Sequence, residues 1–183
     1  MNLSNRARHW VTILALAAGL TLMLAGAYRH WRLHAHNASI ARAARTYDVP
    51  PALIRAVIWR ESKFDHRSVG KSGEIGLMQV TPVAAGEWAK DEGIQNFTKY
   101  ELFKPEINIM AGTWYLGRAL RSWSQKSNPL PYALAEYNAG RSNALRWAAQ
   151  DRDDPNIFWN NITYPSTKRY IHDVINQYRR YED

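Results

Sequence analysis

The stretch Pro51-Ala-Leu-Ile-Arg-Ala-Val-Ile-Trp-Arg-Glu61-Ser62 has the pattern of an amphipathic helix with one charged residue on its apolar face. Pro51 suits the first turn of a helix, where an amide hydrogen would have no intrahelical partner. At about 100° per residue, the apolar side chains span an arc of roughly 140°, and Glu61 falls inside that arc. Arg55 and Arg60 point away from it. The sequence therefore predicts a carboxyl group on the core-facing side of a helix, near its C-terminal end.

A carboxyl group in this position has an altered proton affinity. Burial disfavours the charged form, and the negative end of the helix dipole acts in the same direction. A carboxylic acid that keeps its proton near neutral pH is what general acid catalysis requires. The alternative is a solvated glutamate, or one paired with a lysine one turn away, and the helix pattern alone leaves both interpretations open.

Two later segments supply polar groups that could surround this acid. Gly70, Gly73 and Gly76 punctuate a polar stretch before Leu77-Met78-Gln79, which indicates a loop that needs positive φ or close backbone approach. A loop of this kind, returning beside the carboxylate, would line a cleft for an extended substrate. Further along, Ala133–Gly140 predicts a short helix closed by a glycine, with a phenol and an amide side by side near its end.

Together these segments resemble the catalytic domain of the soluble lytic transglycosylase family, which cleaves peptidoglycan and has a lysozyme-like fold. The motifs are Glu61-Ser62 with Phe64, Gly76-Leu77-Met78-Gln79, Ala135-Glu136-Tyr137-Asn138-Ala139-Gly140, and the weaker Thr167-Lys168-Arg169-Tyr170-Ile171. The resemblance extends over about residues 42 to 175. It implies a mainly α, lysozyme-like domain with at most a short β-hairpin before Gln79.

The resemblance also implies roles for individual side chains. Glu61 is the expected catalytic acid. The expected substrate-binding residues are Gln79, Tyr137, Asn138 and Met78, with Tyr137 lying against the Glu61 carboxylate. No metal and no other cofactor is implied, and the six histidines include no His-Glu-x-x-His pattern.

Three positions depart from the common pattern of this family. Many members carry a serine where this chain has Gly70, a methionine where it has Thr81, and a glutamate where it has Ser166. These departures leave the general acid in place and concern the groups around the cleaved sugar. Ser62 is expected to brace the end of the catalytic helix.

The implied reaction cleaves the β-1,4 bond between N-acetylmuramic acid and N-acetylglucosamine without water. Most glycosidases use two carboxylates, whereas substrate-assisted enzymes use the substrate's acetamido group in place of one of them. In the implied reaction, Glu61 first protonates the glycosidic oxygen and then accepts the proton of the sugar's own C6 hydroxyl. The resulting intramolecular attack forms a 1,6-anhydro ring and needs no water-activating carboxylate.

Two alternatives remain open from the sequence. A lysozyme-type hydrolase, like the goose-type lysozymes, would need a second carboxylate, and Asp65 and Glu74 are the nearest candidates. A non-catalytic glycan-binding component of an envelope or secretion machine is the other alternative. The presence of Glu61 together with Gln79 and Tyr137 favours an enzyme.

The composition suits a protein that acts outside the cytoplasm. The 183 residues are 46% hydrophobic, enough for one domain with a core after an N-terminal segment is set aside. The chain has no cysteine, and its net charge of +8 favours anionic partners such as peptidoglycan and phospholipid surfaces. The basic residues are scattered and no nucleic-acid-binding motif is present, which argues against a nucleic acid partner. Of the eight tryptophans, we expect most in the core and one or two in the cleft.

The N-terminus predicts the location. We divide the chain into a membrane segment with linker, residues 1–37, and a catalytic domain, residues 38–183. An uncharged apolar run of about nineteen residues, Trp10 to Tyr28, is long enough to span a bilayer. Aromatic residues flank it, as at a membrane interface, which favours an uncleaved inner-membrane anchor with the domain in the periplasm. The small residues near Ala27 also fit a signal-peptidase site, so secretion after cleavage is the alternative.

Overall fold

The computed structural model describes residues 5–182 of the chain, and within this range the chain divides into two compact units after Asn37. The first unit consists of one long helix, α1 (Asn5–His34). The segment His9–Tyr47 includes a window with mean hydropathy 2.0, none of which is buried in the protein. By length and composition, this helix could cross a membrane.

The second unit is an assembly of helices. Its elements are α2 (Asn37–Tyr47), α3 (Pro51–Ser62), α4 (Pro82–Asp91), a 3-10 helix (Lys99–Phe103), α5 (Pro105–Ser122), α6 (Pro129–Ala139), α7 (Arg141–Ala148), α8 (Pro155–Asn161) and α9 (Pro165–Glu182). Helix α3 packs against α9, α5 packs against α4 and α6, and α6 also packs against α9. The prediction of a mainly α domain is confirmed.

Helix α3 carries the predicted acid and packs mainly against α9. Its apolar residues Leu53, Ile54, Val57 and Ile58 are buried, as the helical periodicity predicted. The helix stops because Lys63 adopts a left-handed conformation, with φ of 53°, and its amide donates to the Trp59 carbonyl. The chain then leaves the helix axis and enters the loop.

The loop between α3 and α4 contains the β-type pairing that the sequence placed before Gln79. Val69 pairs with Ile75 and Ile75 pairs with Val80, both antiparallel, and no longer strand forms within residues 5–182. The side chain of Ser62, at the end of α3, donates to the Leu77 carbonyl at 2.8 Å. This bond ties the end of α3 to the far side of the loop, in agreement with the bracing role expected for Ser62.

Asn108 of α5 fixes the loop through hydrogen bonds to its backbone. It is fully buried, and its amide nitrogen donates to the carbonyls of Ile75 at 2.7 Å and Leu102 at 2.9 Å. Its carbonyl oxygen accepts the Met78 amide at 2.8 Å. A Cβ at Gly76 would collide with this side chain and lie 2.7 Å from the Leu102 carbonyl, so the close approach requires glycine.

Two helical segments were not predicted from the sequence. The 3-10 helix Lys99–Phe103 and helix α8 are short and have no clear apolar period. Helix α6 begins before the predicted Ala133, because Pro129–Pro131 form its first turn. Proline is well suited to this position, where its ring fixes φ and the missing amide has no partner.

Candidate active site

Glu61 lies in the last turn of α3, partly buried, at the wall of a cavity of about 260 Å³. The residues that line this cavity, called here the acid cavity, are Glu61, Glu74, Gln79, Thr81, Tyr137 and Asn138. Four of the five residues predicted for the site are therefore brought together from three separate segments of the chain. The fifth, Met78, is the exception.

The carboxyl group of Glu61 is poised to hold a proton near neutral pH. Burial raises its pKa to about 7, and the nearby negative charge of Glu74 acts in the same direction. The Tyr170 hydroxyl and the positive charge of Arg60 act in the opposite direction and are weaker. Arg60 is itself held by Asp173 of α9, at 3.0 Å. Burial is thus the main reason that this glutamate can serve as a proton donor.

Tyr170 of α9 is a site residue that sequence reasoning missed. Its side chain is 1% exposed, and its hydroxyl makes no hydrogen bond of ordinary geometry within the described residues. The hydroxyl nevertheless lies close enough to the Glu61 carboxyl to act on it as a donor, which lowers the pKa of Glu61. Burial, followed by the Glu61 charge, raises the pKa of Tyr170 well above its ordinary value, so the phenol keeps its proton. The sequence signal that could have identified Tyr170 is the weak motif Thr167–Ile171, which contains it.

Gln79 is held rigidly at the edge of the acid cavity. Its φ is +48°, a left-handed conformation that is uncommon outside glycine and that recurs at functional sites. Its side-chain amide nitrogen donates to the carbonyls of Ser68 at 3.2 Å and Gly76 at 2.9 Å. The two bonds fix the side chain, so its remaining polar atom has a defined direction.

Tyr137 joins α6 to the Gln79 loop. Its hydroxyl donates to the backbone carbonyl of Met78 at 2.9 Å, and its ring meets Tyr115 edge-on, with 5.6 Å between centroids. Burial and the charge of Glu61 raise the pKa of the Tyr137 phenol well above its ordinary value. Tyr137 therefore shares the cavity with the acid, while its hydrogen bond goes to the loop backbone.

The side chain of Met78 lies outside the acid cavity, which corrects the expectation that it binds substrate. It is fully buried against α5, where Thr113 Oγ1 contacts its sulfur at 3.7 Å. A Cβ at Gly112 would lie 2.7 Å from the Met78 sulfur, so α5 approaches this side chain very closely. Met78 belongs to the core, and only its backbone carbonyl, as acceptor for Tyr137, acts on the site.

Asn138 is exposed at the end of α6 and is oriented by α9. Its side-chain carbonyl accepts a hydrogen bond from the buried Thr167 hydroxyl at 2.8 Å. Ser166, one of the departures from the family pattern, is exposed beside this contact. The helix that supplies Tyr170 therefore also positions Asn138.

A second cavity of about 440 Å³ continues from the first, and the two share Gln79, Thr81, Tyr137 and Asn138. Its outer part is lined by Val80, Val83, Ala84, Glu87, Tyr115, Arg118, Gly140 and Arg141. Within residues 5–182, neither cavity is lined by a tryptophan, so the expectation of one or two tryptophans in the cleft was wrong. Four of the eight indoles are buried in the core, those of Trp88, Trp114, Trp123 and Trp147, and the aromatic residues that line the cavities are Tyr115 and Tyr137.

The two carboxylates considered for a hydrolase lie in different surroundings. Asp65 is exposed and its carboxylate accepts the Arg67 amide at 3.0 Å, as a turn former does. It lines neither cavity. Glu74, by contrast, shares the acid cavity with Glu61. In the part of the chain that the structure describes, no group of acidic residues and histidines could hold a metal ion.

The fold is similar to that of solved lytic transglycosylases. An inactive mutant of the lytic transglycosylase Slt from Pseudomonas aeruginosa superposes with a TM-score of 0.73 at 26% identity, covering 81% of this chain and 24% of that protein. The 70-kDa soluble lytic transglycosylase in complex with bulgecin A gives a TM-score of 0.73 at 27% identity, with 81% and 24% covered.

Sequence relatives agree with the structural neighbours. The chain is 31% identical to the membrane-bound lytic murein transglycosylase C of Pectobacterium atrosepticum, covering 88% of this chain and 51% of that protein. It is 30% identical to the protein of the same name from Yersinia pestis, with 82% and 44% covered. The chain thus spans about half the length of these relatives. The sequence profile of the family described as "Transglycosylase SLT domain" matches residues 38–160, which confirms the resemblance seen in the motifs. The chain therefore belongs to the transglycosylase SLT domain family.

Proposed function

We propose that this protein is a peptidoglycan lytic transglycosylase that cleaves the bond between N-acetylmuramic acid and N-acetylglucosamine, with Glu61 as acid and then as base. The observation that carries the proposal is the state of Glu61. It is the family's expected acid, lies at the wall of a cleft, and has a pKa raised by burial to about 7. Such a group is protonated in a large fraction of molecules at neutral pH and can also act as a base.

In the first step, the Glu61 carboxyl donates its proton to the glycosidic oxygen, and the bond from that oxygen to the anomeric carbon breaks. The acetamido oxygen of the muramic residue shares the positive charge that develops at this carbon, in the manner of substrate-assisted enzymes. Burial raises the pKa of the Tyr137 and Tyr170 phenols near the acid, so both keep their protons.

In the second step, the Glu61 carboxylate accepts the proton of the C6 hydroxyl, and that oxygen bonds to the anomeric carbon. The attack is intramolecular, so the reaction gains the entropic advantage of a preassembled nucleophile. The products are a free N-acetylglucosamine hydroxyl end and a 1,6-anhydro-muramic end. The carboxyl group is restored to its protonated state by the same proton transfer.

Substrate binding is assigned to the polar groups along the two joined cavities. Gln79 is fixed by two backbone carbonyls, Tyr137 by the Met78 carbonyl, and Asn138 by Thr167. A groove with rigid hydrogen-bonding groups and tyrosine walls suits a chain of pyranose rings, which present hydroxyl edges and apolar faces. We assign its occupant as a peptidoglycan glycan strand.

The N-terminal helix is proposed to anchor the enzyme in the inner membrane, with the catalytic domain in the periplasm. Its apolar residues are exposed, and Tyr28 and Trp31 stack on each other at 6.0 Å near its C-terminal end. Paired aromatic rings at the end of an apolar run are typical of a membrane interface. The relatives named above are called membrane-bound, which supports the same location.

The test uses the full chain in detergent micelles with purified murein as substrate, and Glu61→Gln as the matched variant. Mass spectrometry of the products should show fragments with 1,6-anhydro-muramic ends, absent with the variant. Reducing ends in place of anhydro ends would identify a hydrolase and overturn the proposed reaction. Tight binding of murein without cleavage by the folded protein would identify a glycan-binding protein.

A further inference from the structure

The Glu74 carboxylate is the second acidic group of the acid cavity and is held in a defined place. Its Oε2 atom accepts the Ser72 amide at 3.0 Å. The backbone carbonyl of Glu74 accepts the Gly70 amide at 2.7 Å, so the loop curls around this residue. The side chain is partly buried and lines the cavity together with Glu61.

Gly70 provides the space that this carboxylate occupies. A Cβ at position 70 would collide with Glu74 Oε2 and lie 2.8 Å from Gln79 Oε1. Gly70 does not have positive φ, so its backbone does not require glycine. The space that a side chain at position 70 would need is therefore occupied by the carboxylate of Glu74.

Within residues 5–182, no lysine or arginine side chain lines the acid cavity beside Glu74. The remaining lining groups are Glu61 and neutral polar side chains. The negative charge of Glu74 is near enough to raise the pKa of Glu61. An ionised carboxylate accepts hydrogen bonds and donates none, so its partner in the occupied site must be an N–H or O–H group. A bond to a group that becomes positive would be strengthened by the charge.

We propose that Glu74 is a second catalytic carboxylate, which accepts a hydrogen bond from the acetamido N–H of the muramic residue and stabilises the positive charge that this group acquires during cleavage. The inference rests on the proposed function and adds Glu74 to it as a second catalytic residue. The carboxylate of Glu74 fits in the cavity because Gly70 has no side chain. The acetamido group becomes cationic when its oxygen attacks the anomeric carbon. The hydrogen bond from the acetamido N–H to the fixed Glu74 carboxylate is then stronger in the transition state than in the ground state. An interaction that strengthens in the transition state raises kcat.

The step balances without a proton on Glu74. Glu61 gives its proton to the departing glycosidic oxygen while the acetamido oxygen bonds to the anomeric carbon, forming a cyclic oxazolinium ion. The N–H stays on nitrogen and remains hydrogen-bonded to Glu74. The Glu61 carboxylate then takes the C6 hydroxyl proton, the C6 oxygen bonds to the anomeric carbon, and the acetamido oxygen leaves to restore the neutral amide.

The test compares the full chain in detergent with Glu74→Gln, Glu74→Ala and the control Asp65→Asn, which changes a loop carboxylate outside both cavities. On glycan strands of defined length, we expect kcat to fall by about 10- to 100-fold in both Glu74 variants, with KM changed by less than about 3-fold. The products keep their anhydro ends, and Asp65→Asn retains the wild-type kcat.

A binding measurement gives a readout that does not depend on turnover. N-acetylglucosamine-thiazoline is a stable mimic of the bicyclic ion, whereas an N-acetylglucosamine oligomer mimics the ground state. Calorimetry should show about 10-fold weaker thiazoline binding in Glu74→Gln and unchanged binding of the oligomer.

Three results would overturn the inference. A wild-type kcat in Glu74→Gln would remove any catalytic role. Equal losses of affinity for thiazoline and oligomer would assign Glu74 to ordinary substrate binding. Reducing ends made by the wild type and lost in Glu74→Gln would make Glu74 a base for water. A folded wild-type protein that cleaves no murein would instead overturn the proposed function, which separates the two failures.

Discussion

The hydroxyl of Tyr137 donates a 2.9 Å hydrogen bond to the backbone carbonyl of Met78, so the end of α6 is fastened to the loop that carries Gln79. Tyr137 and Met78 are 59 positions apart in the chain and belong to different motifs. Because the Met78 side chain is buried against α5, the carbonyl that Tyr137 contacts cannot move independently of the core. The cleft therefore has one wall whose position is set by the packing of a methionine.

Removing this bond should weaken both the fold and the reaction. In Tyr137→Phe the ring remains, but the Met78 carbonyl loses its donor. We expect the free energy of unfolding to fall by about 1 kcal/mol, the usual net value of such a bond. Urea unfolding followed by tryptophan fluorescence would measure it. Activity on murein should fall together with it, and unchanged activity would show that the bond does not position the cleft.

The pH dependence of activity should report Glu61. In the proposed reaction the free enzyme needs the protonated acid, so kcat/KM should decline as pH rises through about 7, the pKa of Glu61. In Tyr170→Phe the carboxylate loses a donor that lowers this pKa, so the declining limb should move to higher pH. The measurement is initial rate on soluble glycan strands between pH 5 and about 9. A limb that stays in place would mean that Tyr170 does not contact the acid.

Stability should depend on pH through the same carboxyl group. The folded protein holds the Glu61 proton up to about pH 7, whereas the group releases it near its ordinary value of 4.5 in the unfolded chain. The folded state binds more protons in this window, so the free energy of unfolding falls as pH rises from 4.5 to about 7. Glu61→Gln removes this effect.

Glu61→Gln should therefore be more stable than the wild type at pH 8, by about 1–3 kcal/mol, and equally stable at pH 4. Paired urea unfolding curves at the two pH values test this. All other titrating groups are the same in the wild type and in Glu61→Gln. Their contribution to the free energy of unfolding therefore cancels in the difference between the two proteins at each pH. A constant difference between pH 4 and pH 8 would show that the acid is not held in its neutral form.

Gly70 and Glu74 should behave as a coupled pair. In Gly70→Ala the new methyl group displaces the flexible end of the Glu74 side chain, so kcat should fall while stability changes by less than about 1 kcal/mol. In a Glu74→Ala background the methyl group added by Gly70→Ala no longer meets the Glu74 carboxylate, so it should lower kcat less. A double-mutant cycle on kcat measures this non-additivity. Strict additivity would show that the two residues act independently.

The sequence predicted the parts of the site that local patterns determine. The position of Glu61 follows from the helical period of its neighbours, and the loop before Gln79 follows from its glycines. The loop's close approach to Asn108 shows why one of these glycines was needed. Periodicity and turn chemistry act over a few residues, and both can be read directly from the chain.

The rest of the site depends on contacts between distant segments. Tyr170 appears in the sequence as one member of an apolar stripe on α9, and only the packing of α9 on α3 places its hydroxyl beside Glu61. Met78 belongs to a motif whose neighbour Gln79 faces the cavity, but its own side chain points into α5. A motif identifies the loop that matters, whereas the direction of each side chain is set by the elements on either side of it.

The packing of α3 against α9 determines when the site around Glu61 can form. Arg60 and Asp173, which clamp the two helices beside the acid, are 113 positions apart. Before α9 packs on α3, Glu61 lacks the neighbouring Tyr170 and Asn138 lacks the Thr167 hydroxyl. On the proposed function, the acid would therefore become competent only after α9 has folded onto α3, so cleavage would depend on a contact between distant parts of the chain.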